Sequence, residues 1–228
     1  MGTKRLYSII AILLLTLIAQ SASAGWGFRN GRGHRGLRGS GDIETQEFDF
    51  KKFDKIKLEC GIDIRIHVGE ELSCEVTADD NLFDEMEFRV RGRTLVLDTD
   101  KELRPTDGIL MTLKMPALEG ITINGAGDIY ITNMSGNEFY LDINGAGDIR
   151  VEGEVDELDI NISGAGDVDA EELEAKSADI RISGAGDAEV TVTDQIWAAI
   201  SGVGNITYHG DPEHESTRVS GIGNIKHR

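Results

Sequence analysis

The chain is poor in proline, cysteine and aromatic residues, with 3 Pro, 2 Cys and 6% Phe, Trp and Tyr in 228 residues. Aromatic side chains usually supply much of a core's buried area, so their scarcity leaves the filling to small and β-branched aliphatics and favours thin stacked layers. Positive charge is also short: 23 Lys and Arg stand against 41 Asp and Glu, a formal net charge of −18. A surface this acidic repels phosphate backbones, which argues against nucleic acid as a partner and leaves cations, basic proteins or neutral glycans. Two cysteines cannot build a disulfide framework. Cys60 and Cys74 both fall on the apolar phase of their segments, and an oxidising compartment would either join them or leave two buried thiols. A two-residue hairpin turn at Gly69-Glu70 would set Cys74 opposite Arg65, so that Cys60 is not its direct cross-strand neighbour.

Residues 1–24 carry Lys4 and Arg5, an apolar run over 6–19 and then Ala22-Ser23-Ala24, a small-x-small cleavage signature. The run is shorter than the roughly 20 residues that span a bilayer, so it reads as a signal peptide cut before Gly25. The mature chain is therefore expected to be exported to the periplasm or the cell surface, with no membrane span. Residues 25–41 hold four arginines and no acid, with glycine at nearly every second position. Such a stretch loses too much entropy on ordering to fold alone, and it is predicted to be a flexible linker.

What the sequence has in excess is glycine, 28 residues, and it is periodic. Asn124-Gly125-Ala126-Gly127-Asp128 recurs as Asn144-Gly145-Ala146-Gly147-Asp148, Ser163-Gly164-Ala165-Gly166-Asp167, Ser183-Gly184-Ala185-Gly186-Asp187, Ser201-Gly202-Val203-Gly204-Asn205 and Ser220-Gly221-Ile222-Gly223-Asn224. The starts are 20, 19, 20, 18 and 19 residues apart. A near-constant period in this range implies stacked coils. Ile123, Ile143, Ile162, Ile182, Ile200 and Val219 precede the six motifs, and Ile129, Ile149, Val168, Ala188, Ile206 and Ile225 follow them. Aliphatic residues two apart on either side point to one face, as in strands. Stacking at about 4.8 Å would turn each apolar column into a ladder inside the solenoid. The glycines would form its corners, where a β-carbon on every layer would clash.

Asp128, Asp148, Asp167, Asp187, Asn205 and Asn224 end the six motifs and should form a row beside the glycine corners. Neighbouring carboxylates about 5 Å apart repel by roughly 0.8 kcal/mol even in bulk water. Bound Ca²⁺ would relieve that repulsion, but it wants six to eight oxygens and one Asp per corner does not assemble them. Asparagine keeps the acceptor and drops the charge, so the property common to all six positions is hydrogen bonding to nearby backbone amides. No cofactor follows from the pattern. The serines before the glycines lack the preceding glycine of a nucleophile elbow. The five histidines, at 34, 67, 209, 214 and 227, show no metal-ligand spacing along the sequence.

Residues 42–118 lack the motif yet remain strand-like over 54–60, 62–68, 72–78, 85–90, 94–98 and 109–115, with Cys60-Gly61-Ile62-Asp63-Ile64 resembling a degenerate corner. This region is predicted to start the stack and protect its first edge. The repeat solenoid is placed at 119–228, and its last coil is left to the basic tail or to a second subunit. Over roughly residues 45–228, the strand-rich opening followed by serial Ser/Asn-Gly-Ala-Gly-Asp-Ile corners resembles the head GIN domain family of auto-transporter adhesins. The resemblance implies an all-β, single-stranded right-handed β-helix in the cell envelope. The expected function is a non-enzymatic binding, adhesin-like or scaffold module whose partner is an envelope glycan or protein. The alternatives are a polysaccharide lyase or hydrolase built on a β-helix, and a Ca-stabilised structural repeat.

Overall fold

The structure is a computed structural model, and it describes residues 36–228. The predicted signal peptide, its cleavage site and most of the predicted linker lie outside the described residues. The chain is a β-solenoid of stacked parallel coils, and the 3-10 turn Asp80–Glu85 is the helical element among the described residues. Four long strands, Ile129–Ile143, Ile149–Ile162, Val168–Ile182 and Ala188–Ile200, run from one glycine corner to the next. Each pairs in parallel with its successor, and all three pairings shift register partway along, beginning at Ile131, Arg150 and Ala170. Each of these pairings is therefore irregular at a place other than the glycine corner.

The apolar columns are stacked as their spacing predicts. Ile123 pairs with Ile143, Ile143 with Ile162, Ile162 with Ile182, and Ile182 with Ile200. All five are 1% exposed or less. The corners lie over one another in a chain of single bridges, Gly61 to Ala126, Ala146, Ala165, Ala185, Val203 and Ile222. Residues 59–63 are thus the first of seven corner levels, not merely a sequence likeness. In the last coil the columns open to solvent: His214–Val219 is exposed throughout, and Val219 and Ile222 are 44% and 73% exposed.

Close approach explains the glycine pairs. A β-carbon on Gly145 would lie 1.9 Å from the Gly125 carbonyl oxygen, and one on Gly147 would lie 2.1 Å from that of Gly127. At every corner the missing side chain would point at the preceding level. The first level has no earlier corner beneath it, so Cys60 and Ile62 occupy the two glycine positions and project into the cap, where both are buried.

The cap is built differently from the expectation. Lys55–Leu58 runs parallel between Gly120–Ile123 and Thr94–Thr99, and Met86–Arg91 closes this edge antiparallel to Thr94–Thr99. The hairpin expected at Gly69-Glu70 does not form. Leu110–Met115 lies between Asp63–Val68, to which it is parallel, and Ser73–Asp79, to which it is antiparallel. Met111, Leu113 and Met115 are fully buried there, and a direct hairpin would have excluded them from the sheet. Cys74 consequently faces Leu113, not Arg65. Cys60 and Cys74 are both free, buried thiols, and burial pushes each up to about 12.

The last six residues of the predicted linker, 36–41, are held in place. Leu37–Arg38 pairs with Leu103–Arg104. The carboxylate of Asp79, fully buried, accepts hydrogen bonds from the Gly41 amide at 2.7 Å and from the Thr106 amide and hydroxyl, both at 2.8 Å. The Thr106 amide leads these donors in holding the Asp79 carboxyl below the usual range for aspartate. Glycine at position 39 is required sterically, since a β-carbon there would lie 2.3 Å from the Asp79 carboxylate.

Candidate functional site

Each aspartate of the corner row is anchored by the level that follows it. Asp128 Oδ1 accepts the Asp148 amide at 3.2 Å, Asp148 Oδ1 the Asp167 amide at 3.1 Å, and Asp167 Oδ1 the Asp187 amide at 2.7 Å. Asp187 Oδ1 accepts both the amide and the side-chain Nδ2 of Asn205, at 2.6 and 3.0 Å, and Asn205 Oδ1 accepts the Asn224 amide at 3.3 Å. The first rung is Asp63, which accepts the Asp128 amide at 2.9 Å. The six predicted residues are therefore one continuous ladder with a seventh member supplied by the degenerate corner. Because one oxygen of each aspartate is used along the stack, the other is left to meet solvent or a ligand.

A parallel ladder runs on the opposite side of the glycines. Asn144 Nδ2 donates to Asn124 Oδ1 at 3.1 Å, Asn124 Nδ2 donates to Glu59 at 3.0 Å, and the Ser183 hydroxyl donates to that of Ser163 at 3.3 Å.

Two residues beyond the aspartates, the outward positions are Arg65, Tyr130, Arg150 and Asp169, brought into register by the strand pairing. Between this column and the ladder lies an open groove of about 670 Å³, lined by Asp63, Asp128, Asp148 and Asp167 and flanked by Asp107 and Leu110 from the cap. Tyr130 is 37% exposed, and its hydroxyl donates to Glu152 at 2.5 Å, which raises the phenol above its usual range. Arg150 is held by Asp169 at 3.4 Å, by Glu172 at 2.7 Å and by Glu152 at 3.3 Å. The attraction of Asp169 and Glu172 raises the guanidinium further above its usual range. Arg65 is in no ion pair among the described residues. A second, shallower depression of about 540 Å³ lies over the later corners, lined by Asp187, Asn205, Asn224 and the corner backbone.

Sequence reasoning found the ladder but not the column beside it. Arg65, Tyr130 and Arg150 are unrelated residue types, and only the coil register shows that they share a wall. A second aromatic feature was equally hidden: on the face preceding the corners, the Arg181 guanidinium stacks over Trp197 at 4.5 Å and pairs with Asp179 at 2.5 Å. Asp159, next to Asp179 in the neighbouring coil, is raised above the usual aspartate range by burial and then by the Asp179 charge.

Comparison with known proteins gives the chain its family. It is similar to the solved structure of a putative adhesin from Bacteroides fragilis NCTC 9343, with 25% identity and a TM-score of 0.67 over 85% of this chain and 100% of that one. A putative adhesin from Parabacteroides merdae ATCC 43184 shares the fold at 20% identity and a TM-score of 0.51, over 83% of this chain and 98% of that one. No curated protein matches the chain. A family model described as putative auto-transporter adhesin, head GIN domain, matches residues 52–212. With most of its length matched by that model, the chain belongs to the head GIN domain family.

Proposed function

We propose that the protein is an exported, non-enzymatic binding module of the cell envelope, and that the groove beside the corner ladder takes a neutral glycan chain. The observation that carries this reading is the pairing of an exposed aromatic ring, Tyr130, with a row of carboxylates whose positions are fixed by backbone hydrogen bonds. An aromatic face offers an apolar platform to a sugar ring, and rigid carboxylates accept from its hydroxyls without being ordered on binding. The repeat offers the same acceptor at every level, which suits a polymer with a repeated unit. Resemblance to proteins described as adhesins supports a binding role. Turnover of a polysaccharide calls for an acid and a base in different environments, whereas the ladder carboxylates are equivalent to one another.

A glycan array followed by titration tests this. Tyr130→Ala is expected to weaken the best neutral glycan about tenfold, roughly 1.4 kcal/mol. Asp128→Asn, which keeps the acceptor, is expected to have less effect than Asp128→Lys. Silence across neutral glycans, or binding indifferent to Tyr130→Ala, would overturn the reading.

A further inference from the structure

Three side chains from three successive coils converge further along the stack from the cap, where Glu189 continues the outward column of Tyr130, Arg150 and Asp169. The imidazole Nε2 of His209 lies 2.8 Å from Glu189 Oε1 and 4.0 Å from Glu171 Oε1. The three ligand atoms all fall within 4.8 Å of one another. Two different devices bring them together. Glu189 and His209 come from consecutive coils in register, since Thr191 pairs with His209. Glu171 sits where the ladder between Val168–Ile182 and Ala188–Ile200 slips, between Ala170 and Glu174, and the Thr191 hydroxyl clasps its carbonyl at 2.7 Å. The slip turns a carboxylate toward a pair it would otherwise pass, a use to which β-bulges are often put.

We propose that Glu171, Glu189 and His209 form a binding site for a divalent transition-metal ion, with Zn²⁺ the best match. The donor set selects the metal. One imidazole nitrogen and two carboxylate oxygens are ligands of Zn²⁺, bound at about 2.0–2.2 Å, whereas Ca²⁺ and Mg²⁺ are held by oxygens alone. Ligands at that bond length around a tetrahedral ion are separated by roughly 3.4 Å. The separations from His209, 2.8 and 4.0 Å, bracket that spacing, and the two carboxylates lie within 4.8 Å of each other. His209 is the least exposed of the three and Glu171 the most, with side-chain exposures of 24% and 57%, so a fourth position would open to solvent. The positive group closest to Glu189, apart from His209, is the Arg228 guanidinium at 3.5 Å. One exposed arginine stands beside two neighbouring carboxylates, and a divalent ion would complete the balance.

Equilibrium dialysis of the untagged chain against ZnCl₂, with metal counted by elemental analysis, tests the site. One Zn²⁺ per chain is expected. His209→Ala, Glu189→Gln and Glu171→Gln are each expected to weaken it by at least the roughly tenfold that loss of even an outer-sphere partner costs. His67→Ala removes another histidine paired with a glutamate, Glu70 at 3.5 Å, and is expected to change nothing. Glu171 is exposed and Glu189 and His209 are half-buried, and metal-free melting of each variant at the parent's temperature establishes that folding is intact. Failure to bind Zn²⁺, binding unchanged in His209→Ala, loss in His67→Ala alone, or displacement by excess Mg²⁺ would each overturn the assignment.

Discussion

The cap and the stack solve the same problem, burying aliphatic columns between strands, with opposite materials. In the stack the glycine positions of the corners carry no side chains between levels, and the corners and the strands that flank them keep one register from level to level. In the cap, Phe48, Phe50, Phe53, Phe83 and Phe88 gather around the end of the columns, with Phe48 and Phe88 ring centres 5.4 Å apart and Phe50 and Phe53 at 6.1 Å. Its outer strands turn antiparallel. Periodicity requires that volume at the corner be zero, while termination requires that volume be large. Among the described residues, five of the six phenylalanines therefore lie where the repeat has to stop, while the tyrosines and Trp197 lie in the stack.

Reversing the materials at one corner position should give the largest effect. Gly145→Cys puts a side chain where the preceding carbonyl lies 1.9 Å from its β-carbon, and a loss of about 4 kcal/mol or more is expected in urea unfolding. Cys60→Gly, the reverse change at the equivalent cap position, is expected to cost only about 1–2 kcal/mol. Equal costs would mean that the two levels are not built as described. Next in size is the cap's filling: Phe53 is 4% exposed, and Phe53→Ala is expected to cost about 3 kcal/mol in the same assay.

A smaller effect should separate the cap from the stack by pH. The Asp79 carboxyl is held below its ordinary value of 3.8 by the Thr106 and Gly41 donors. The stability it contributes is present above 3.8 and is lost as pH falls through its lower folded value. Melting followed between about pH 5 and pH 2 is expected to show an acid-side decline that Asp79→Asn flattens. Amide exchange should show the decline beginning at residues 36–41.

The smallest effect is expected in the corner ladder. Asp167→Asn keeps the acceptor for the Asp187 amide and should leave stability within about 0.5 kcal/mol, whereas Asp167→Ala removes the acceptor and should cost about 1 kcal/mol. A chelator that leaves the melting midpoint of Asp167→Asn and parent unchanged would set calcium aside as the ladder's support.

The stack was legible because its residues obey a period. The six corners and the apolar columns beside them follow from spacing, the acceptor role seen from Asp128 through Asn205 follows from the exchange of Asp for Asn, and even the degenerate corner read at 60–64 showed through. The cap was legible only as strands. Alternation marks Leu110–Met115 and Asp63–Val68 as half-buried, but it says nothing of which of two apolar strands lies beside which, and the 41 residues between them conceal the pairing. Asp79 carried no signal, since its partners at positions 41 and 106 lie far away in the chain. His209 looked isolated for a related reason. Its neighbours Glu189 and Glu171 are one and two coils back, so their distance in sequence is the coil length and not a ligand spacing.

The direction in which the absent corner side chains would point has a consequence for how such a protein can change length. A whole level bearing the glycine pair fits on top of any existing level, because the only demand it makes is on the one beneath. The level at Cys60 and Ile62 can have no further corner placed under it, because its side chains already pack into the cap strands. Duplication or deletion of units can therefore lengthen or shorten the array anywhere downstream, while its founding turn stays single.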